Sequence, residues 1–289
     1  MKKFLKNFKA IFYFLRISKR LIIKTNRICI EKLDYFAGLL KVILYWKKID
    51  IKYFYMGGKE NIKIVKKIKS YLPEKGYLMD VGANIGINSP CLYFYEKDWN
   101  GVAIEASPET FNTLYKNIRK HKFQIEPLNI AVSNKNSFIN FYIDTDNKDS
   151  GISSTFKSHV IGNSKIGEIR NFREVKVESK TLNNIWDNLG NPVVDLLKID
   201  IEGLDAEVIL STDFSSLNPK IIMAETNKLF YKISENQEDS IIVWKQINNH
   251  LEFYGYKLFA IIDNLDYKKK YSARIGKVPL NAIWKKITP

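Results

Sequence analysis

Apolar and polar positions along this chain follow two rhythms in turn, a helical one of about 3.6 residues and short unbroken apolar runs typical of buried strands. Phe4, Leu5, Phe8, Ile11, Phe12 and Leu15 recur at helical spacing with Lys2, Lys3, Lys6, Lys9 and Arg16 largely between them, which predicts a basic amphipathic helix. Leu33, Phe36, Leu39, Leu40, Ile43 and Leu44 predict a second within residues 1–48. Ile62, Val65, Ile68 and Leu72 mark a helix over 59–72 that stops before Pro73. From there strands and helices alternate. Apolar runs predict strands at 77–81, 102–105, 125–132, 193–199, 221–225, 256–262 and 280–284. Helices are predicted to start near Asn88-Ser89-Pro90, to run from a Ser107 cap and Pro108 through Phe111, Leu114 and Ile118, and to cover 204–210 and 238–251. Residues 138–143 and 175–179 read as extended runs around a polar insertion, 144–173, that forms a loop over something. The expected fold is α/β: a doubly wound, mostly parallel sheet with an antiparallel C-terminal edge strand, preceded by a helical extension. Two regions follow, an extension over 1–58 and a domain over 59–289.

Composition bounds this picture. At 289 residues and 45% apolar content the chain has ample material for a packed core. Its two cysteines, Cys29 and Cys91, exclude a disulfide framework and a four-cysteine zinc site, and suit a reducing, cytoplasmic setting. The net charge of +15 invites a nucleic-acid reading, but residues 1–76 carry 20 Lys/Arg against 5 Asp/Glu, whereas the remainder carries 26 of each. A core that gripped nucleic acid would be expected to share the excess, so nucleic acid is disfavoured as a partner. The longest uncharged apolar stretches near the start fall short of the about 18–20 residues of a membrane span, and charges interrupt every candidate signal sequence. The extension therefore has three open readings: an anionic membrane surface on its inner face, the catalytic core, or a second subunit.

Candidate chemistry sits at predicted strand ends. After the strand at 77–81 comes Asp80-Val81-Gly82-Ala83-Asn84-Ile85-Gly86 and then a helix. Gly82 and Gly86 let backbone approach a ligand, and the helix start offers unpaired N–H groups. The spacing is Gly-x-x-x-Gly rather than the dinucleotide Gly-x-Gly-x-x-Gly, and an acid at Asp80 suits an amine-bearing ligand better than a pyrophosphate. Glu105, 19 residues beyond Gly86, can accept both hydroxyls of an unphosphorylated ribose. Lys198, Asp200 and Glu202 alternate at the end of an apolar strand, where charge is costly unless it serves a site. Asp200 is the first choice to take up or orient a hydroxyl proton, with Glu202 next, and Lys198 either assists or pairs with Asp200 or Glu202. A divalent metal bridging Asp200, Glu202 or Glu225 is compatible with these residue types, but no ligand spacing favours it. Cys91 reads as a small buried residue, His121 and His250 as surface or packing groups, and His159 as a group in the insertion within range of substrate.

As an ordered set, Asp80 to Gly86, Ile104-Glu105-Ala106-Ser107-Pro108 with Leu114 and Asn117, Asn129-Ile130-Ala131-Val132-Ser133, Ser150-Gly151, and Leu197-Lys198-Ile199-Asp200-Ile201-Glu202-Gly203 resemble the FkbM family of methyltransferases. The resemblance spans roughly residues 75–227 and implies a class I, Rossmann-like methyltransferase using S-adenosylmethionine. It implies that the loop, with Asp80, Gly82, Ala83, Asn84 and Gly86, holds the methionine part. Glu105 would then hold the ribose, with Ala106 and the stretch Asn129, Ala131 and Val132 bordering the adenine; Asp200 would face the transferred methyl. It further implies O-methylation, commonly of sugar hydroxyls on glycans, glycolipids or natural products, hence a role in polysaccharide biosynthesis. Two rivals stand beside it. One is an RNA methyltransferase using the basic extension, the other a non-catalytic membrane or partner-binding module that keeps the fold. The run Asp200-Ile201-Glu202-Gly203 lacks the prolines and aromatic residue expected of enzymes that methylate amino groups of adenine or glutamine.

Overall fold

A computed structural model of the chain describes residues 58–145, 153–155, 171–226, 237–262 and 281–287. The two amphipathic helices expected in residues 1–48, and most of the polar insertion with Ser150, Gly151 and His159, lie outside the described residues.

Helix α1 (Gly58–Ile68), prolonged by a 3-10 turn at Lys69–Tyr71, buries Ile64, Val65 and Ile68 and ends before Pro73, as the spacing predicts. The order then runs β1 (Tyr77–Val81), α2 (Leu92–Tyr95), β2 (Asn100–Ile104), α3 (Pro108–His121), β3 (Ile125–Leu128) and β4 (Ala131–Val132). It continues through β5 (Ser137–Asp144), β6 (Phe172–Lys180), α4 (Leu182–Asn188), β7 (Leu196–Ile199), α5 (Asp205–Ser211), β8 (Ile221–Glu225), α6 (Gln237–Phe253), β9 (Tyr256–Ile262) and β10 (Asn281–Lys286). Seven strands form one sheet in the order β3-β2-β1-β7-β8-β10-β9. The first five pair in parallel, and β10 runs antiparallel to both of its neighbours.

Both faces of this sheet are covered, which is why its central strands are apolar at nearly every position. Met79, Val81, Leu197 and Ile199 point to one side, where Leu182 and Ile185 of α4, Val208 and Ile209 of α5, and Ile247 and Leu251 of α6 pack on them. Leu78, Ala103, Leu196 and Met223 point to the other, against Ile64 and Ile68 of α1, Phe94 and Tyr95 of α2, and Leu114 and Ile118 of α3. Burial at about 25 cal/mol per Å² of apolar surface makes these two layers the main source of stability.

Three details depart from the sequence reading. The C-terminal strand is antiparallel as expected but is not the edge: β10 is inserted between β8 and β9, where Ala282, Ile283 and Trp284 are fully buried. The single strand expected over 125–132 is two. Asn129 Nδ2 donates to the carbonyls of Glu105 (2.8 Å) and Ala106 (3.2 Å), so the chain turns there, and β4 joins a separate three-stranded sheet, β4-β6-β5. Helix α4 was not anticipated; Thr181 caps it by accepting from the Asn184 N–H, and its buried Leu182 and Ile185 are too few to show a period.

Candidate functional site

Parallel strands bring their carboxyl ends to one edge, and that edge opens between β1, where the order turns toward β2, and β7. The loop after β1 is drawn tight against its neighbours. Gly82 and Ala83 both donate their N–H to the Ile104 carbonyl (2.9 Å each), and the Asp200 N–H donates to the Val81 carbonyl (3.0 Å). Gly82 is required at its position: φ is +76°, and a Cβ there would lie 1.8 Å from the Asp200 carbonyl oxygen. Asn84 takes a left-handed φ of 52° and steadies it by accepting from the Ile85 N–H, a conformation asparagine tolerates well. From α3, Asn117 donates to the Ile85 carbonyl (2.9 Å) and locks the loop's far end.

Glu105 stands at the end of β2 and faces this loop. Its Oε2 accepts from the Asn84 N–H and its Oε1 from the Ser107 N–H, each at 2.9 Å, so the carboxylate ties loop to helix start. Burial pushes its pKa up to about 7, against the pull of those two N–H groups and of Lys198 toward the charged form. Ala106 and Ala131 pack with Phe141, Ile143 and Val177 in a small apolar cluster beside it.

The acid at the start of the loop is placed differently from expectation. Asp80 is wholly buried, and its Oδ2 accepts from the hydroxyls of Ser89 (2.6 Å) and Tyr95 (2.7 Å) while Oδ1 lies 3.2 Å from Lys198 Nζ. It does not line the cleft, and its partners are Ser89, Tyr95 and Lys198. Lys198, with a side chain 4% exposed, also donates to the Gly82 carbonyl (2.6 Å) and lies 3.5 Å from Asp200 Oδ2. Burial works to lower the Lys198 pKa, but Asp80 and Asp200 more than offset it and hold the ammonium above the ordinary lysine range. A cation so held cannot act as a base. Of the two pairings considered for Lys198, the one with Asp200 forms, and the pairing with Asp80 was not foreseen.

Asp200, Glu202 and Glu225 converge, each half-buried, with one carboxylate oxygen from each inside a 4.8 Å span. The turn that carries the first two is built by Asp205, which accepts from the Ile201 N–H through Oδ1 and the Gly203 N–H through Oδ2, both at 3.0 Å. Ser154, in the insertion, donates its hydroxyl to the Glu202 carbonyl at 2.6 Å, and Glu202 sits in a left-handed conformation, φ 59°. Between these walls lies a cleft of about 690 Å³, counting the space open to solvent. Gly82, Asn84, Glu105, Ala106, Ala131, Val132, Asp200 and Glu202 all line it; Asp80, Ala83, Gly86, Asn129 and Lys198 do not. A larger hollow, of about 870 Å³, lies at the start of β3 around Arg119 and Phe123, away from this edge. Cys91 is a buried free thiol, as expected, and its pKa is raised by burial and by Asp80. His250 contacts the Thr212 carbonyl and His121 stacks on Phe123, both away from the cleft.

Ser89, Tyr95, Asp205, Ser154 and Thr155 were not singled out as site groups in the sequence. Only Asp205 carried a local signal, an acid in the first turn after a glycine.

A doubly wound sheet with this strand order, a glycine loop after β1 and an acid at the end of β2 is the Rossmann-like architecture of methyltransferases. The model of the methyltransferase FkbM domain matches residues 80–258, and the chain belongs to that family. Among solved structures, it is similar to methyltransferase FkbM from Methylobacillus flagellatus KT at 11% identity and a TM-score of 0.42, over 73% of this chain. That match spans 44% of the Methylobacillus chain, less than half its length. An S-adenosylmethionine-dependent methyltransferase from Clostridium acetobutylicum ATCC 824 matches at 11% identity and a TM-score of 0.40, over 90% of this chain and all of that one. A tRNA (uracil-54, C5)-methyltransferase from Pyrococcus abyssi, solved with S-adenosyl-L-homocysteine, matches at 10% identity and 0.36, over 80% and 39% of the two chains. No curated protein matches. No helix among the described residues is long and apolar enough to cross a membrane.

The residues present fit the cofactor the family uses. S-adenosylmethionine bears a sulfonium and an ammonium, and the cleft offers carboxylates from Glu105, Asp200 and Glu202, while Lys198 beside them is already paired to Asp80 and Asp200.

Proposed function

We propose that this protein is an S-adenosylmethionine-dependent O-methyltransferase acting on a sugar hydroxyl of a glycan, glycolipid or nucleotide sugar. The observation that carries the reading is the convergence of Asp200, Glu202 and Glu225, of which Asp200 and Glu202 line the same cleft as Glu105. Carboxylates accept hydrogen bonds from hydroxyl groups, so such a group suits a polyhydroxylated acceptor. The same negative charge repels a phosphate backbone, which counts against RNA.

In this reading Gly82, Asn84 and the rest of the loop hold the methionine part and Glu105 holds the ribose, with Ala106, Ala131 and Val132 bordering the adenine. Asn129 serves them by fixing the Glu105 and Ala106 carbonyls. The cofactor supplies an electrophilic methyl group on sulfur. Asp200 orients the attacking hydroxyl and takes its proton, and Glu202 binds a neighbouring hydroxyl. Asp80 and Lys198 are positioning residues, linking the Gly82 carbonyl to Asp200. Residues 1–48 would add contact with an anionic membrane surface and so favour lipid-linked acceptors.

The test is to incubate full-length protein with methyl-labelled S-adenosylmethionine and an extract of source cells, and then to fractionate. Label should enter saccharide-containing material and be lost with Asp200→Ala. Label in RNA, or no transfer to any fraction, would overturn the assignment.

A further inference from the structure

The helices on the two faces of the seven-stranded sheet carry opposite charge. Helices α1, α2 and α3 pack on one face, and α4, α5 and α6 on the other. In sequence, α1, its 3-10 turn and α3 hold eight Lys/Arg against Glu60 and Glu109. Helices α4, α5 and α6 hold six Asp/Glu against Lys245. On the basic face Lys63, Lys66, Lys67, Lys69, Lys116 and Lys120 are exposed, and among the described residues none of these six pairs with a carboxylate. Lys63, Lys66 and Lys67 recur at i, i+3 and i+4, so they share the outer side of α1, away from the buried Ile64, Val65 and Ile68. Lys63 and Lys67 stand four apart, as do Lys116 and Lys120, and like charges at that spacing repel.

The strands beside the end of α1 repeat the pattern. Lys257 of β9 and Lys285 of β10 are direct cross-strand partners, so their side chains share a face, and Lys285 Nζ lies 4.1 Å from the centre of the Tyr71 ring. Like charges directly opposite one another destabilise a sheet. Tyr71, which stands beside them, is 44% exposed. Unpaired cations that repel one another become favourable when an anionic surface faces them, and a face spanning two helices and a strand pair matches something broad and flat. An exposed tyrosine among lysines suits a membrane–water interface. We infer that this face of the domain docks on an anionic membrane surface, a site separate from the contact expected of residues 1–48. It stands whichever acceptor the cleft methylates. Nucleic acid is the other extended polyanion, but an RNA substrate must also enter the cleft, where the carboxylates of Glu105, Asp200 and Glu202 repel its backbone.

The test is co-sedimentation of the full chain with vesicles of phosphatidylcholine, plain or with about 30% phosphatidylserine. Wild type should bind the anionic vesicles, lose them as salt is raised, and ignore the plain ones. The triple variant Lys63→Gln, Lys66→Gln and Lys120→Gln should bind about ten-fold or more weakly, while arginine at the same three positions should keep the affinity. The control is Lys135→Gln, Lys176→Gln and Lys245→Gln, three exposed lysines on the three-stranded sheet and α6. It removes the same net charge and should cost no more than about three-fold, since distant surface charges are screened. The melting temperature of the first triple should not fall, because no ion pair is lost. Wild type that ignores the anionic vesicles, or binds plain ones equally, overturns the inference. So does a first triple that loses no more than the control, which would leave residues 1–48 as the membrane contact. An RNA oligonucleotide held through the same lysines by a protein that ignores the vesicles would assign the face to nucleic acid and overturn the lipid reading.

Discussion

Replacing Lys198 by methionine removes a buried ammonium and leaves behind the charge it neutralises. Asp80 would keep the Ser89 and Tyr95 hydroxyls but lose a cation at 3.2 Å with no water to replace it. The Gly82 carbonyl would lose its 2.6 Å donor. Breaking one side of a buried pair costs about 3–5 kcal/mol, because the partner stays charged in a medium that solvates it poorly. For a domain of this size that corresponds to a fall of about 6–20 °C in melting temperature. Urea unfolding followed by tryptophan fluorescence measures it, since Trp99 and Trp284 are buried and report loss of the core. Adding Asp80→Asn to Lys198→Met should recover at least about 2 kcal/mol, a coupling that independent sites do not show. The sign with pH is also set. A lysine whose folded pKa is raised contributes stability that is fully present below its ordinary value of about 10.4 and fades only as pH rises beyond it, so the deficit should be flat between about pH 6 and 9. A Lys198→Met variant within about 1 kcal/mol of wild type, or a double variant whose effects simply add, would refute the reasoning.

Gly82→Ala should abolish binding of S-adenosylhomocysteine by calorimetry, or prevent folding as seen by circular dichroism, because its Cβ would collide with the Asp200 carbonyl; near-normal affinity would show the loop geometry to be wrong. Cofactor affinity should fall as pH drops below about 7, approaching about ten-fold per unit, because Glu105 must be ionised to accept ribose hydroxyls, and it should be flat with pH in Glu105→Gln. The free protein should move the opposite way. A carboxyl whose folded pKa is raised binds its proton more tightly when folded, so stability rises as pH falls from about 7 toward 4.5. S-adenosylhomocysteine affinity should be unchanged by EDTA, since Glu105 and the loop lie outside the Asp200, Glu202 and Glu225 group; a drop would place a metal in the cofactor site.

Much of this was legible in the residues. The apolar runs of β1, β8 and β9 matched the structure end to end, since buried strands need nothing but apolar side chains and clear stops. The cap at Ser107 formed where Ser-Pro-Glu placed it, accepting from the Thr110 N–H. What escaped the sequence were contacts between distant segments. The break between β3 and β4 depends on Asn129 reaching the Glu105 carbonyl, 24 residues away, and no local pattern records that. Asp80 read as a ligand group because its position after a strand is where ligands bind, yet its partners arrive from residues 89, 95 and 198, brought together only by packing. Glu105, Asp200 and Glu202, by contrast, reach the cleft because strand ends in a parallel sheet share one edge. The hydroxyl of Ser154 was invisible for the first reason, since serine is ordinary in a polar loop.

The most direct trial of the account sets binding against transfer in one pair of variants. With labelled S-adenosylmethionine and the acceptor fraction that wild type labels, Glu105→Ala should lose cofactor binding by roughly a hundred-fold or more, since two charge-assisted hydrogen bonds go with it. Asp200→Ala should bind the cofactor within a few-fold of wild type yet transfer methyl at least about a hundred-fold more slowly. Full transfer by Asp200→Ala, or undiminished binding by Glu105→Ala, would contradict the assignment of this cleft.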